Sequence, residues 1–256
     1  MPSNNYYKFG RTRISITTVD ETLAAIGDCI KEKKNAYITI ANLRTSVFAH
    51  KNEDYRRVVN SAFLNTPDGM PLVWCGRASG AKSIQRTCGP DVFIASLKKG
   101  YKHFFLGDTQ ETLDSLVVKV KNEYDADVVG AYSPDFVKSY EDYDYAKIAN
   151  LIKESGAEIV WIALGAPKQD FFAERLIGML DGVVLVGVGA AFRFVLGEYK
   201  DPPKVFKKLA LTGFFWRVKD HIFSSLVWYV KHSAYLSYFM IIILLNRFLK
   251  LKIYHE

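Results

Sequence analysis

Cysteine is scarce in this chain. The three residues, Cys29, Cys75 and Cys88, lie far apart among 256. That excludes a disulfide framework or a zinc site and fits reduced thiols. The five histidines fall at no metal-ligand spacing, and no G-x-S-x-G, Walker A or H-E-x-x-H segment occurs. Residues 1–10 lack the apolar stretch of a secretory signal. No internal repeat or low-complexity linker is present. The longest charge-free run of the C-terminal region, 233–246, is fourteen residues, short of the roughly 20 needed to span a bilayer.

Net charge is also missing from most of the chain. Nine of the 34 bases and two of the 27 acids lie in residues 204–256, so this stretch carries the whole excess of +7 and residues 1–203 are neutral. The same stretch is rich in aromatics, among them Phe214, Phe215, Trp216, Trp228 and Tyr229. Basic residues interleaved with large apolar ones suit nucleic acid or an anionic membrane surface, and the apolar content favours the membrane. A helix lying in the interface and a helix docked on the body or on a partner subunit both fit 233–246. The composition shift near Asp201-Pro202-Pro203 divides the chain into a 1–203 α/β domain and a 204–256 appendage.

At 49% hydrophobic and 24% charged residues the body is globular. Short β-branched runs recur at 36–41, 103–106, 127–131, 158–164 and 182–188. Segments of helical length separate them at 54–62, 90–99, 109–123, 143–155 and 168–180. This alternation predicts an α/β fold, a Rossmann-like parallel sheet flanked by helices. In such sheets ligands bind beyond the carboxyl ends of the strands. Attention therefore falls on Asn42, on Gly107-Asp108, on Gly165-Ala166-Pro167-Lys168-Gln169 and on Gly187-Val188-Gly189.

Gly165-Ala166-Pro167-Lys168-Gln169 is either a helix start whose N–H groups and lysine hold a phosphate, or an ordinary strand-to-helix turn. Gly187-Val188-Gly189-Ala190-Ala191-Phe192 resembles the opening of a dinucleotide fingerprint, with Phe192 where the third glycine should stand. It fits a turn that brings backbone close to a ligand. Thr66-Pro67-Asp68-Gly69-Met70-Pro71 reads as a turn, and Asp68 also suits a general base. Asp125-Ala126-Asp127 and Asp142-Tyr143-Asp144 match the D-x-D pattern of metal-holding sugar transferases, a pattern common by chance in a chain with this many acids.

Together these segments resemble the WecG/TagA/CpsF glycosyltransferase family. Asn60-Ser61-Ala62 and Thr66-Pro67-Asp68-Gly69-Met70-Pro71-Leu72-Val73-Trp74 are similar to its central motif, followed by Gly89-Pro90-Asp91. Phe104-Phe105-Leu106-Gly107 resembles its next strand. Ala163-Leu164-Gly165-Ala166-Pro167-Lys168-Gln169-Asp170 resembles its glycine–proline–lysine–glutamine segment, with Asp170 where Glu is usual. The glycine turn at Gly187 follows in the same order. Ala190 and Arg193 stand where the family often has Gly and Asp, and Asp201-Pro202-Pro203 replaces its Arg-Ala-Pro. A catalytic threonine of some members falls near Ile40, with Thr39 beside it.

The resemblance implies an inverting transferase. It would move N-acetylmannosamine or a related hexose from a UDP-sugar to a polyprenyl-diphosphate-linked sugar in cell-surface polysaccharide synthesis. The enzyme would sit on the inner face of the cytoplasmic membrane, held by its basic C-terminal segment. No metal and no cofactor are implied, and nucleic acid is not an expected partner. The oligomeric state stays open, a homo-oligomer included. Asp68 takes the role of base by this resemblance. Thr39, Asn42, Gly69, Gly165, Lys168, Gln169, Gly187, Gly189 and Arg217 are the expected substrate contacts. Three other classes compete. A nucleotide-dependent oxidoreductase would give a cofactor titration. A non-catalytic membrane-bound partner would bind vesicles and release no UDP. A nucleic-acid binder would show a steep salt dependence.

Overall fold

The structure, a computed structural model, describes residues 5–199 and 222–249, with side chains of the last helix described from His232 onward. An antiparallel hairpin of β1 (Tyr6–Phe9) and β2 (Thr12–Ser15) opens it. Then come α1 (Val19–Lys31), β3 (Ala36–Ala41), α2 (Leu43–Lys51), α3 (Glu53–Ser61), β4 (Leu64–Pro67), α4 (Met70–Ser79) and α5 (Gly89–Leu97). After them follow β5 (His103–Gly107), α6 (Gln110–Tyr124), β6 (Val128–Tyr132), α7 (Tyr145–Ser155), β7 (Ile159–Ala163), α8 (Lys168–Ile177), β8 (Val184–Gly187) and α9 (Ala191–Leu196). The C-terminal helix spans Ile222–Leu249.

Six strands, all parallel, form one sheet in the order β4-β3-β8-β7-β5-β6. The five expected strands all lie in it. Successive residues of a strand face opposite sides. On β7, Ile159 and Trp161 pack with α1, α5, α6 and α9, while Val160 and Ile162 pack with α3, α7 and α8. Helices on both faces explain why the central strands read as unbroken apolar runs.

A third core lies beyond the β4 edge. Tyr7, Phe9 and Ile14 of the hairpin pack there on Leu72, Val73 and Cys75 of α4. The C-terminal helix closes this core with Phe239, Ile242 and Ile243, and the Phe239 ring lies 4.5 Å from that of Phe9. The docked alternative for 233–246 therefore describes one face of the helix. The opposite face exposes Tyr238, Ile241, Leu244 and Phe248. The expected boundary at 201–203, together with Arg217, lies outside the described residues.

At the floor of the sheet His103 is fully buried, and its Nδ1 accepts the Trp161 indole N–H at 3.0 Å. Its Nε2 is enclosed without a partner. Burial pushes its pKa down to about 4, against the opposing pull of Asp127. The unfolded chain then binds a proton that the folded chain refuses between about pH 6.5 and 4, so this group's contribution to stability falls as pH drops through that window. A His103→Phe variant lacks this term. In urea titrations its stability relative to wild type should rise by about 2 kcal/mol between pH 7 and pH 5. A difference independent of pH would show that the imidazole is not held neutral.

Candidate active site

The carboxyl ends of β3, β4, β7 and β8 meet at one rim of the sheet. Asp68 follows β4 directly. Its amide donates to the Ala41 carbonyl at 2.8 Å, so the residue is fixed to the end of β3 as well. Gly69 then caps α4, with a proline in that helix's first turn. A carboxylate placed at a helix start is favoured by the dipole there. The Asp68 side chain is 36% exposed, open to the rim. The partial burial that remains lifts its carboxyl above the ordinary range, Arg86 pulls it back and Asp91 pushes it up again.

Arg86 brackets this carboxylate. Its Nε donates to the Asp68 carbonyl at 2.8 Å, one terminal nitrogen lies 3.6 Å from Asp68 Oδ1, and the other lies 3.4 Å from Asp91 Oδ2. The segment carrying it is tied to β4, since the Thr87 amide donates to Pro67 O at 2.7 Å and Thr66 Oγ1 to Thr87 O at 3.0 Å. Gly89 at the start of α5 lies so near β8 that a Cβ would stand 3.0 Å from Val188 O. Sequence reasoning passed over Arg86, which falls in a link without periodicity. Its place three residues before Gly89-Pro90-Asp91 was the available signal.

Gln169 joins the two glycine turns. Its Oε1 accepts the amides of Gly165 at 3.1 Å and Gly189 at 3.0 Å. Gly187 leaves the room for this, because a Cβ there would stand 2.9 Å from Gln169 Nε2. Beside it Asp170 is fully buried, and burial raises its carboxyl to about 7 despite the hydrogen bond from Tyr55, the nearby Gln169 carboxamide and the charge of Arg44. Asn42 caps α2, its Oδ1 accepting the Thr45 amide at 3.1 Å. Across the rim, Asp108 takes a positive φ after Gly107, whose missing Cβ avoids a 2.8 Å approach to Ala163. The Arg193 guanidinium grips Asp108 with two nitrogens, at 2.9 and 2.7 Å. Sequence reasoning noted Arg193 and Asp108 separately and never joined them.

Two of the expected contacts have their polar groups engaged within the protein. Thr39 points into the sheet, where its hydroxyl donates to Asn65 Oδ1 at 2.8 Å. Ile40, its neighbour, faces the opposite side and packs on the core beside α5, with Cδ1 3.3 Å from where a Gly89 Cβ would stand. Strand alternation prevents Thr39 from taking over position 40. Lys168 turns outward, donating to Val137 O at 2.6 Å and lying over the Phe136 and Tyr143 rings. The start of α8 is no open phosphate cradle either, because the Gln169 and Asp170 amides are taken by the carbonyls of Gly165 and Pro167. Gly69, Gly165 and Gly189 lie at the rim, and Arg217 is outside the described residues.

The remaining motifs serve the fold. Asp142 and Asp144 accept the Ser139 and Lys147 amides as helix caps, and Asp125 is the left-handed end of α6. Phe192 is buried between Phe93 and Phe105, so the glycine turn before it opens no dinucleotide helix.

Residues 7–222 match the sequence model of the glycosyl transferase WecG/TagA/CpsF family. The N-acetylglucosaminyldiphosphoundecaprenol N-acetyl-beta-D-mannosaminyltransferase of Bacillus spizizenii is 28% identical over 186 residues, covering 71% of this chain and 70% of that protein. Its namesake from Bacillus subtilis (strain 168) is 28% identical over 190 residues, covering 73% of this chain and 72% of its own.

Proposed function

The chain belongs to the WecG/TagA/CpsF family of glycosyltransferases, and from that premise we propose the reaction performed at the rim of its sheet. The donor is a UDP-sugar; the names of the relatives give the sugar as N-acetylmannosamine and the acceptor as an N-acetylglucosamine linked through diphosphate to undecaprenol. An acceptor hydroxyl attacks the anomeric carbon from the face opposite UDP. The new C–O bond forms as the bond to the β-phosphate oxygen breaks, which inverts the anomeric centre and releases UDP. Asp68 takes the hydroxyl proton. Arg86 holds Asp68 and offers positive charge to the departing diphosphate. The turns at Gly165 and Gly189 present bare backbone to the donor, and Asn42 faces the same rim. Arg217 adds charge from the appendage. The observation that carries this reading is the Asp68–Arg86–Asp91 group at the carboxyl end of the sheet.

The test is UDP release in mild detergent, with UDP-N-acetylmannosamine and UDP-glucose as donors, a short-chain lipid-diphosphate N-acetylglucosamine acceptor, and EDTA in one arm. Acceptor-dependent release with one donor, unchanged by EDTA, supports the reaction. Release of no UDP from any donor overturns it and favours a non-catalytic pathway partner.

The same proposal puts the enzyme on the inner face of the cytoplasmic membrane, through the outer face of the C-terminal helix. Tyr238, Ile241, Leu244 and Phe248 recur at helical spacing on the side away from the docked Phe239. Deleting residues 234–256 would strip Phe239, Ile242 and Ile243 from the third core, so truncation confuses anchoring with folding. Replacing Ile241, Leu244 and Phe248 by Ser spares the docked face. That variant should melt like wild type and lose sedimentation with anionic phosphatidylglycerol vesicles. Undiminished vesicle binding would overturn the anchor.

A further inference from the structure

Asp170 is the most deeply buried acid among the described residues, 1% exposed, and the transfer chemistry leaves it unused. Tyr55 of α3 donates its hydroxyl to Asp170 Oδ2 at 2.6 Å. Oδ1 is enclosed and makes no hydrogen bond of good geometry. It lies against the bare Cα of Gly187, where a Cβ would stand 3.2 Å from Oδ1 and 2.9 Å from Gln169 Nε2. The carboxyl and the carboxamide nitrogen thus meet over Gly187. The other end of that carboxamide faces two donors, the amides of Gly165 and Gly189. Two N–H donors require an oxygen, so the NH2 must turn the opposite way, toward Asp170. A buried NH2 without an acceptor would be costly, and Asp170 Oδ1 is the acceptor at hand. Arg44 of α2, which donates to Ala166 O at 3.0 Å on the same turn, favours the charged carboxylate.

We propose that Asp170, held by Tyr55, is a positioning residue that fixes the Gln169 carboxamide with its oxygen toward the two glycine turns and so sets their spacing at the rim. The kinetic side of this inference rests on the transferase reading, and the exchange side rests on the fold alone.

The test uses Asp170→Ala, Gln169→Ala, the double variant and Asp170→Asn in the full chain. It has two readouts, amide hydrogen exchange at Gly165 and Gly189 in the free protein and kcat for UDP release. In Asp170→Ala both glycine amides should exchange about tenfold faster or more, with α1 amides unchanged as reference, and kcat should fall by a similar factor. The double variant should be no worse than Gln169→Ala, because one residue acts through the other. Asp170→Asn should restore both readouts, since its oxygen can accept from Gln169 and its nitrogen can donate to the Tyr55 oxygen. Unchanged exchange at both glycines in Asp170→Ala, or losses that multiply in the double variant, would overturn the proposal. Should Asp170→Ala fail to fold, Tyr55→Phe decides: faster exchange at the same two amides supports the proposal and unchanged exchange refutes it. A wild type that releases no UDP removes the transferase reading and leaves the exchange measurement to judge Asp170.

Discussion

Asp68→Asn should lower acceptor-dependent UDP release by about 10²–10⁴-fold, the usual contribution of a positioned general base, while the protein melts like wild type. Asparagine has the shape of aspartate, so the amide bond to Ala41 O and the carbonyl that accepts Arg86 Nε are untouched. What is lost is the ability to take the acceptor's proton as its oxygen attacks. The same carboxyl also predicts a pH profile. Burial and Asp91 hold its pKa above the ordinary carboxylate value, with Arg86 pulling the other way. Only the ionised form is a base, so kcat/KM should rise with pH through that raised pKa and then level. The residual rate of Asp68→Asn should lack this rising limb. Near-normal turnover would remove Asp68 from the chemistry, and a residual rate that keeps the limb would assign the limb to another group.

The parts of the fold that could be read from sequence are those whose strands are covered by helices on both faces. β3, β5, β7 and β8 are apolar runs because nothing but side chains surrounds them. β4 escaped notice because its sequence, Leu-Asn-Thr-Pro, is polar. The hairpin lies alongside it, and its polar groups are paired there, Asn65 N to Ser15 Oγ at 2.9 Å and Asn65 Nδ2 to Arg13 O at 2.9 Å. Burial by hydrogen bonding leaves no hydrophobic trace. The site divides along the same line. Asp68 and the glycine turns follow strand ends directly, so chain order places them. The Thr39 hydroxyl turns to Asn65 because one step along a strand reverses the face. Lys168 turns outward to Val137 O, on a loop 31 residues earlier that local sequence does not reveal. The C-terminal helix is apolar on its docked face and on its exposed face, and composition sums the two without telling them apart.

Arg86→Met should lower kcat by about 10²–10³-fold, the range seen when one preorganised donor is taken from a developing charge. Methionine keeps an unbranched stem and removes the cation. Three interactions end together: the bond to Asp68 O, the approach to Asp68 Oδ1 and the approach to Asp91 Oδ2. Two carboxylates are then left near each other without the cation between them. The charged form of Asp68 becomes harder to reach, so its pKa rises and the ascending limb of the pH profile moves to higher pH. Arg86→Lys should recover only part of the rate. A single ammonium restores a charge but cannot span Asp68 O and both carboxylates as the guanidinium fork does. The two effects separate the two roles given to Arg86. A fall in kcat with an unmoved limb would assign the residue to the leaving diphosphate alone. A moved limb with kcat preserved at high pH would assign it to the base alone. Neither change would leave Asp68 acting without its bracket and would remove Arg86 from both roles.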